Sequence, residues 1–333
     1  MYDGVYPANT VRNKTLIYGK AVQVHKLKGI LDDFLAQTDA LSLIRNDPVE
    51  IVHEYQDPHD QEVVGLVVAL LAYGRVRAIK NKVRSLISPW GASPAQAVAN
   101  GTAAQSSEGF VYRFQKGSDL PRLLGAIRAL RAESGSLAAA FAAGIRPDES
   151  DYAYAMDRFI QRLRGTISGE MTYGLKFLLP RSGETRGAAK RLCLYLRWMI
   201  RDEHVSRPAQ QASSSRSNKG PAEARDLGTW QRLVPGQFDP AKLIIPLDTH
   251  IARISRYIGL TDQKSMGLKT AQDITDSLRK LCPADPLLYD MALCHLGISG
   301  ECPQRRDLEK CSQCPIRGAC RLGKTPRNWA KFV

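Results

Sequence analysis

No stretch of the sequence approaches the ~20 consecutive apolar residues needed to cross a bilayer. The opening MYDGVYPANTVRNK also lacks the basic segment followed by an apolar one that marks a secretory signal. A cytosolic protein with no membrane partner is therefore expected. Strand signals are scarce, the best being the five-residue LIIPL at 243–247, and no internal repeat is visible. Acidic residues are in short supply too: 33 Asp and Glu stand against 47 Lys and Arg, a formal charge of +14 over 333 residues. That excess favours polyanions such as DNA, RNA or an anionic membrane face, although a merely soluble basic protein carries the same charge.

Most of what is present reads as helix. The run from Glu62 to Ile87 starts fully apolar and turns basic, with Asp60 or Asp57-Pro58 as its start signal. Helical spacing of apolar residues recurs over 119–131, 152–163, 187–201, 248–258, 269–281 and 285–296, the last opened by Asp285-Pro286. In the 187–201 helix Ala188, Leu192, Leu196 and Met199 share one face. The expected fold class is all-α. The segment from His204 to Ala224 is rich in Ser, Ala, Gln and Pro, cannot offset its own ordering entropy, and reads as a flexible insertion.

Four of seven cysteines, Cys302, Cys311, Cys314 and Cys320, fall within one short loop in the pattern C-x8-C-x2-C-x5-C. Cytosolic thiols are kept reduced, so these are not expected to be disulfides. Thiolates repel one another, and four in one loop imply a cation between them: tetrahedral zinc or an iron–sulfur cluster. Zinc ribbons use two C-x2-C knuckles; the single knuckle and unequal spacers here favour iron–sulfur. Cys193, Cys282 and Cys294 lie within helices and read as core.

This cysteine loop, preceded by IIPLDTHIARISRYIGL (244–260), resembles the endonuclease III family of helix-hairpin-helix DNA glycosylases, and more closely a bacterial family sharing DPHDQEVVGLVVALLAYGRV (57–76) and KRLCLYLRWMIR (190–201). The resemblance covers the chain from about residue 50 onward. It implies a [4Fe–4S] cluster on the four cysteines, an essential aspartate at Asp248, and two helical domains with a cleft between them. Residues 60–185 would form a helical barrel, and 20–59 with 186–333 the second domain. The implied partner is double-stranded DNA containing a damaged base, met by a monomer in the nucleoid. The sequence departs from the family at the hairpin: LLPRSGETRGAAKRL has Pro180, Gly183 and Gly187 but not the tight glycine spacing. Lys190 then opens a helix, as in archaeal 8-oxoguanine glycosylases.

Removing a base breaks a C1′–N bond through a sugar cation, which a carboxylate stabilises. Asp248 suits that task, and equally suits an N-cap worth ~1 kcal/mol. Lys190, as an amine nucleophile, would form a Schiff base and permit strand cleavage. Arg197 and Arg201 return to its stripe at 7 and 11 residues. Their charge would lower the lysine's pKa, or the stripe is simply a basic face meeting phosphate. Phosphate contacts are expected from Gly183 and Gly187, with Arg181, Arg186 and Arg191 adding charge. Tyr73, with Arg75 beside it, aligns with a wedge-bearing helix end, though a tyrosine ending an apolar helix is commonly core. His53 and His59, near Asp57 and Asp60, read as loop residues with caps. The expected function is base-excision repair by a glycosylase, with or without lyase activity. The alternatives are a non-catalytic binder or damage sensor on the same scaffold, and an RNA-directed or redox protein.

Overall fold

The computed structural model of the chain describes residues 21–181, 187–202 and 226–324. Gly183, Arg186 and the 204–224 segment lie outside the described residues. What is described is all-helical. The order is α1 (Ala21–Ala36), α2 (Ala40–Arg45), α3 (Glu50–His53), α4 (Pro58–Leu70), α5 (Val76–Ile87), α6 (Pro94–Asn100), α7 (Thr102–Ser106), α8 (Asp119–Ser134) and α9 (Leu137–Ala142). Then come α10 (Ala153–Gly165), α11 (Tyr173–Leu178), α12 (Lys190–Ile200), α13 (Thr229–Leu233), α14 (Thr249–Ile258), α15 (Leu268–Arg279), α16 (Asp290–Ile298), α17 (Leu308–Gln313) and α18 (Arg321–Lys324). No described helix is long and apolar enough to cross a membrane.

Helix α4 is the central element. Asp57 caps it by accepting the His59 N–H at 2.7 Å, Pro58 opens its first turn, and every residue from Asp60 to Leu70 is buried. A helix apolar all round must be covered all round. Helices α12 and α13 pack against it. The Tyr195 hydroxyl of α12 donates to the Glu62 carbonyl at 2.9 Å, and Gly65 allows the close approach, since a Cβ there would stand 2.9 Å from Met199 Cε. Ala188, Leu192, Leu196 and Met199 are all buried, as the helical spacing predicts. One continuous hydrophobic cluster extends from Leu27 to Ala319.

Three local expectations are corrected. The 62–87 run is two helices: the chain turns at Leu71–Arg75, where Gly74 takes φ +116, a backbone state that favours glycine. LIIPL is buried and non-helical but not a strand, because no second strand lies beside it among the described residues; the Ile245 N–H donates instead to Thr275 Oγ1 at 3.0 Å. Asp285 caps nothing. Its carboxylate is buried against Arg201 at 2.9 Å, and the helix starts later, at Asp290.

Candidate active site

The N-terminus of α12 and the N-terminus of α14 meet. Lys190 is the first residue of α12 and follows Ala189, whose φ of +50 is left-handed for a residue with a Cβ. Asp248 is the N-cap of α14, its Oδ1 accepting the Ile251 N–H at 2.8 Å. Its other oxygen, Oδ2, lies 3.3 Å from Lys190 Nζ and accepts the Cys294 thiol at 3.3 Å. The two residues singled out by sequence, 58 positions apart, are thus in contact. The cap expected of Asp248 is present, and the same carboxylate also meets Lys190.

Burial acts to lower the Lys190 pKa, but the Asp248 carboxylate outweighs it, aided by Cys294 and Asp47, and holds the lysine above its ordinary value. Burial likewise acts to raise Asp248, and the Lys190 charge, the Ile251 N–H and Cys294 overcome it, so its carboxyl sits below the usual range. Burial first, then the neighbouring Asp248 and Asp290, push the Cys294 thiol far up, so it is a protonated donor. The expectation that Arg197 and Arg201 lower the lysine's pKa is overturned. Both guanidiniums are buried, Arg197 against Asp226 at 3.1 Å and Asp290 at 2.5 Å, Arg201 against Asp226 at 2.7 Å and Asp285 at 2.8 Å. Arg197 is therefore not a DNA contact on the surface.

Lys190 forms part of the walls of two cavities. One, of about 520 Å³, is walled by Tyr73, Phe177, Gly187, Arg191, Leu247 and Met266 among others. The other, of about 480 Å³, is walled by Asn46, Asp47, Arg75, Asp248, His250, Cys294 and His295 among others. Ala72, Gly74 and Lys190 belong to both. In the second, burial pushes the His295 imidazole pKa down, and its Nε2 is buried without a hydrogen-bond partner.

The remaining expected DNA contacts divide. Arg75 and Gly187 are exposed at the cavities and Arg181 is exposed just after α11. Arg191 is turned inward: it donates to the Leu70 carbonyl at 3.2 Å and to the Phe177 carbonyl, and lies over the Phe177 ring at 4.1 Å. Burial pulls it down to about 10. Tyr73 is half-buried, with its hydroxyl on Gln115 and the Tyr112 carbonyl, so it cannot serve as a free wedge. His53 and His59 stay outside the site; Asp57 is a cap and Asp60 accepts the Ala95 N–H at 2.7 Å. Cys294, Asp47 and His295 were missed, because single residues in or before apolar helices carry no periodic signal.

Cys302, Cys311, Cys314 and Cys320 line one cavity together with Ile254 and Tyr257 of α14. The Gly323 N–H donates to Cys320 Sγ at 3.3 Å, and Arg253 donates to the Cys302 carbonyl at 2.8 Å. Burial raises the Cys302 and Cys314 thiols, the latter to about 11, and the other cysteines raise both further. Among the described residues, no group of three or more His, Cys, Asp or Glu is gathered so as to hold a metal ion.

A family model described as "Protein of unknown function (DUF2400)" matches residues 47–209 and 222–299. No curated protein and no solved structure matches the chain. The family match contains Lys190, Asp248 and Cys294, and ends before the cysteine loop.

Proposed function

The chain belongs to the family described as protein of unknown function (DUF2400), and from that premise we propose that it is a base-excision DNA glycosylase of the helix-hairpin-helix type, with lyase activity through Lys190. The observation that carries the reading is the 3.3 Å contact of Lys190 Nζ with Asp248 Oδ2, where two cavities meet. A lysine–carboxylate pair on a cleft, rather than on a flat surface, suits an amine nucleophile with a charge to oppose it. The +14 charge supports a polyanionic substrate.

At rest Lys190 is an ammonium. A substrate that enters the cleft separates it from Asp248, and its proton passes to the departing base, so that Asp248 stays ionised. The free amine adds to C1′ as the C1′–N bond breaks, and the base leaves with the bonding pair and a proton. Asp248 faces the positive charge on the sugar as that bond opens. Opening of the sugar ring gives an iminium at Nζ, and loss of a C2′ proton then expels the 3′ phosphate, cutting the strand.

The iron–sulfur reading rests on the C-x8-C-x2-C-x5-C spacing and on the four cysteines lining one cavity, with a backbone N–H aimed at Cys320 Sγ, although among the described residues they are not gathered as a metal-holding group. Cys302, Cys311, Cys314 and Cys320 would hold it. Bound there it would supply a structural clamp on a loop too polar to fold alone.

The test is borohydride trapping with DNA bearing an abasic site and with a panel of single damaged bases. Wild type should give a covalent adduct at Lys190, and Lys190→Gln should lose it while still binding DNA. Base release without trapping would remove the lyase step only. A wild type that binds DNA but neither traps nor releases any base favours the non-catalytic sensor instead.

A further inference from the structure

We propose that Phe114 and Tyr173 form a stacking surface for an unpaired nucleobase, beside the cavity that contains Lys190. The inference rests on the reading that the substrate is nucleic acid. Phe114 is 43% exposed and Tyr173 69%, and their rings meet edge to face at 5.8 Å. Among the described residues, both rings thus keep part of their surface open to solvent. The inner side of Phe114 is backed by Phe177 at 4.7 Å and by Tyr73, near parallel, at 5.9 Å. Those two rings are walls of the Lys190 cavity. The surface is thus one ring away from the reacting lysine.

The turn that presents Phe114 is strained and locked. Arg113 has φ +52, a left-handed state that costs a non-glycine residue and persists only where the surroundings over-determine it. Tyr112 and Gln115 exchange both backbone hydrogen bonds, at 3.1 and 3.0 Å. The buried Gln115 amide donates to the Gly174 carbonyl at 3.2 Å, and the Lys116 N–H donates to Asp119 Oδ2 at 3.0 Å. Two glycines make the room: a Cβ on Gly174 would stand 2.8 Å from the Phe114 carbonyl oxygen, and one on Gly74 would stand 2.8 Å from Arg113 Nη1. Such a frame keeps Phe114 outside rather than letting it fold into the core.

The occupant follows from the surroundings. Arg113, Lys116 and Lys176 are exposed around the pair and complement phosphates on either side of a stacked base. Rings stack on any base, so the surface should tolerate sequence, and it would seat an unpaired base flanking the nucleotide that Lys190 attacks.

The experiment compares wild type with Phe114→Leu and Tyr173→Ser. The probes are a single-stranded oligonucleotide carrying 2-aminopurine and a duplex carrying an abasic-site analogue. Phe114→Leu should raise the Kd for the single strand roughly tenfold and abolish 2-aminopurine quenching, without changing the salt slope, because no phosphate contact is lost. Tyr173→Ser should act in the same direction; it keeps the test open if Phe114→Leu fails to fold. Variants that melt like wild type yet bind and quench like wild type overturn the surface, whatever Lys190 does. Loss of quenching in a protein that never traps abasic DNA leaves the surface standing and sinks the catalytic reading alone.

Discussion

Each oxygen of the Asp248 carboxylate has its own partner: Oδ1 seats the first turn of α14 through Ile251, while Oδ2 holds both Lys190 and Cys294. Because the Asp248 pKa is depressed, the stability it lends is present above the ordinary carboxylate pKa and is lost as pH falls through its lower folded value. Because that of Lys190 is raised, its share is present below the ordinary lysine pKa and is lost as pH rises through the higher folded value. Across neutral pH the pair is intact and the amine is protonated, so trapping of abasic DNA should accelerate toward alkaline pH. Asp248→Asn keeps the capping oxygen and removes the charge. The alkaline rise should then shift to lower pH, while base release from a damaged substrate falls steeply; an unshifted profile would mean that Asp248 does not hold the proton. Cys294→Ser, which retains a donor to Oδ2, should behave as wild type. Cys294→Val should reduce the trapping rate several-fold and move its pH profile, with little change in melting temperature. Equal rates in all three would make the thiol a bystander. Nothing in the sequence marks Cys294, since one cysteine in the apolar run MALCHL reads as core until the fold sets it against Asp248.

At the scale of elements, α12 shows where reading from sequence stops. Its apolar face and its opening lysine are legible from residue spacing and from the resemblance. A helical wheel also aligns Arg197 and Arg201 with Lys190, but it cannot say what stands opposite. Three aspartates from distant segments do: Asp226, Asp285 and Asp290 bury the two arginines. The excess carboxylate leaves Asp290, chiefly through burial, pushed up to about 6 despite Arg197. Asp226 bridges both guanidiniums, so Asp226→Ala leaves buried cations short of partners and should cost about 3–5 kcal/mol in denaturant unfolding. A loss under about 1 kcal/mol, the usual worth of an exposed pair, would mean that the network is not what joins α12 to α16. Arg197→Met should likewise leave the salt slope of DNA binding unchanged, since that side chain meets no phosphate. The packing of α14 on α16 depends on Gly297, where a Cβ would stand 2.6 Å from that of His250. This close approach brings Cys294, one turn earlier in α16, beside Asp248, and no periodicity in the sequence foretells it.

Across the whole molecule, the cysteine loop lies at the far end of the helix that Asp248 begins. Ile254 and Tyr257 of α14 wall its cavity, and the Tyr257 hydroxyl donates to the Gln304 carbonyl at 2.6 Å. Helix α1 also packs on the loop: Gly318 lets Ile30 approach so closely that a Cβ would sit 2.9 Å from its Cδ1, and Asp32 of α1 accepts the Tyr289 hydroxyl at 2.6 Å. The loop therefore ties the first described helix to the helix carrying the candidate catalytic carboxylate, although it contributes nothing to either cavity beside Lys190. A group bound by Cys302, Cys311, Cys314 and Cys320 should act on stability first and on chemistry only through it. Anaerobically purified protein should be brown, with iron and acid-labile sulfide in near-equal amounts. Cys311→Ser should cut the soluble yield, while the fraction that folds still traps abasic DNA at Lys190. Chelation or oxidative loss of iron should lower the melting temperature and loosen α1, α14 and the loop together in hydrogen exchange, leaving α4 protected. Stoichiometric zinc without sulfide would replace the cluster by a single structural ion and leave the clamp argument intact. A metal-free protein that melts and exchanges like the loaded one would remove the clamp itself.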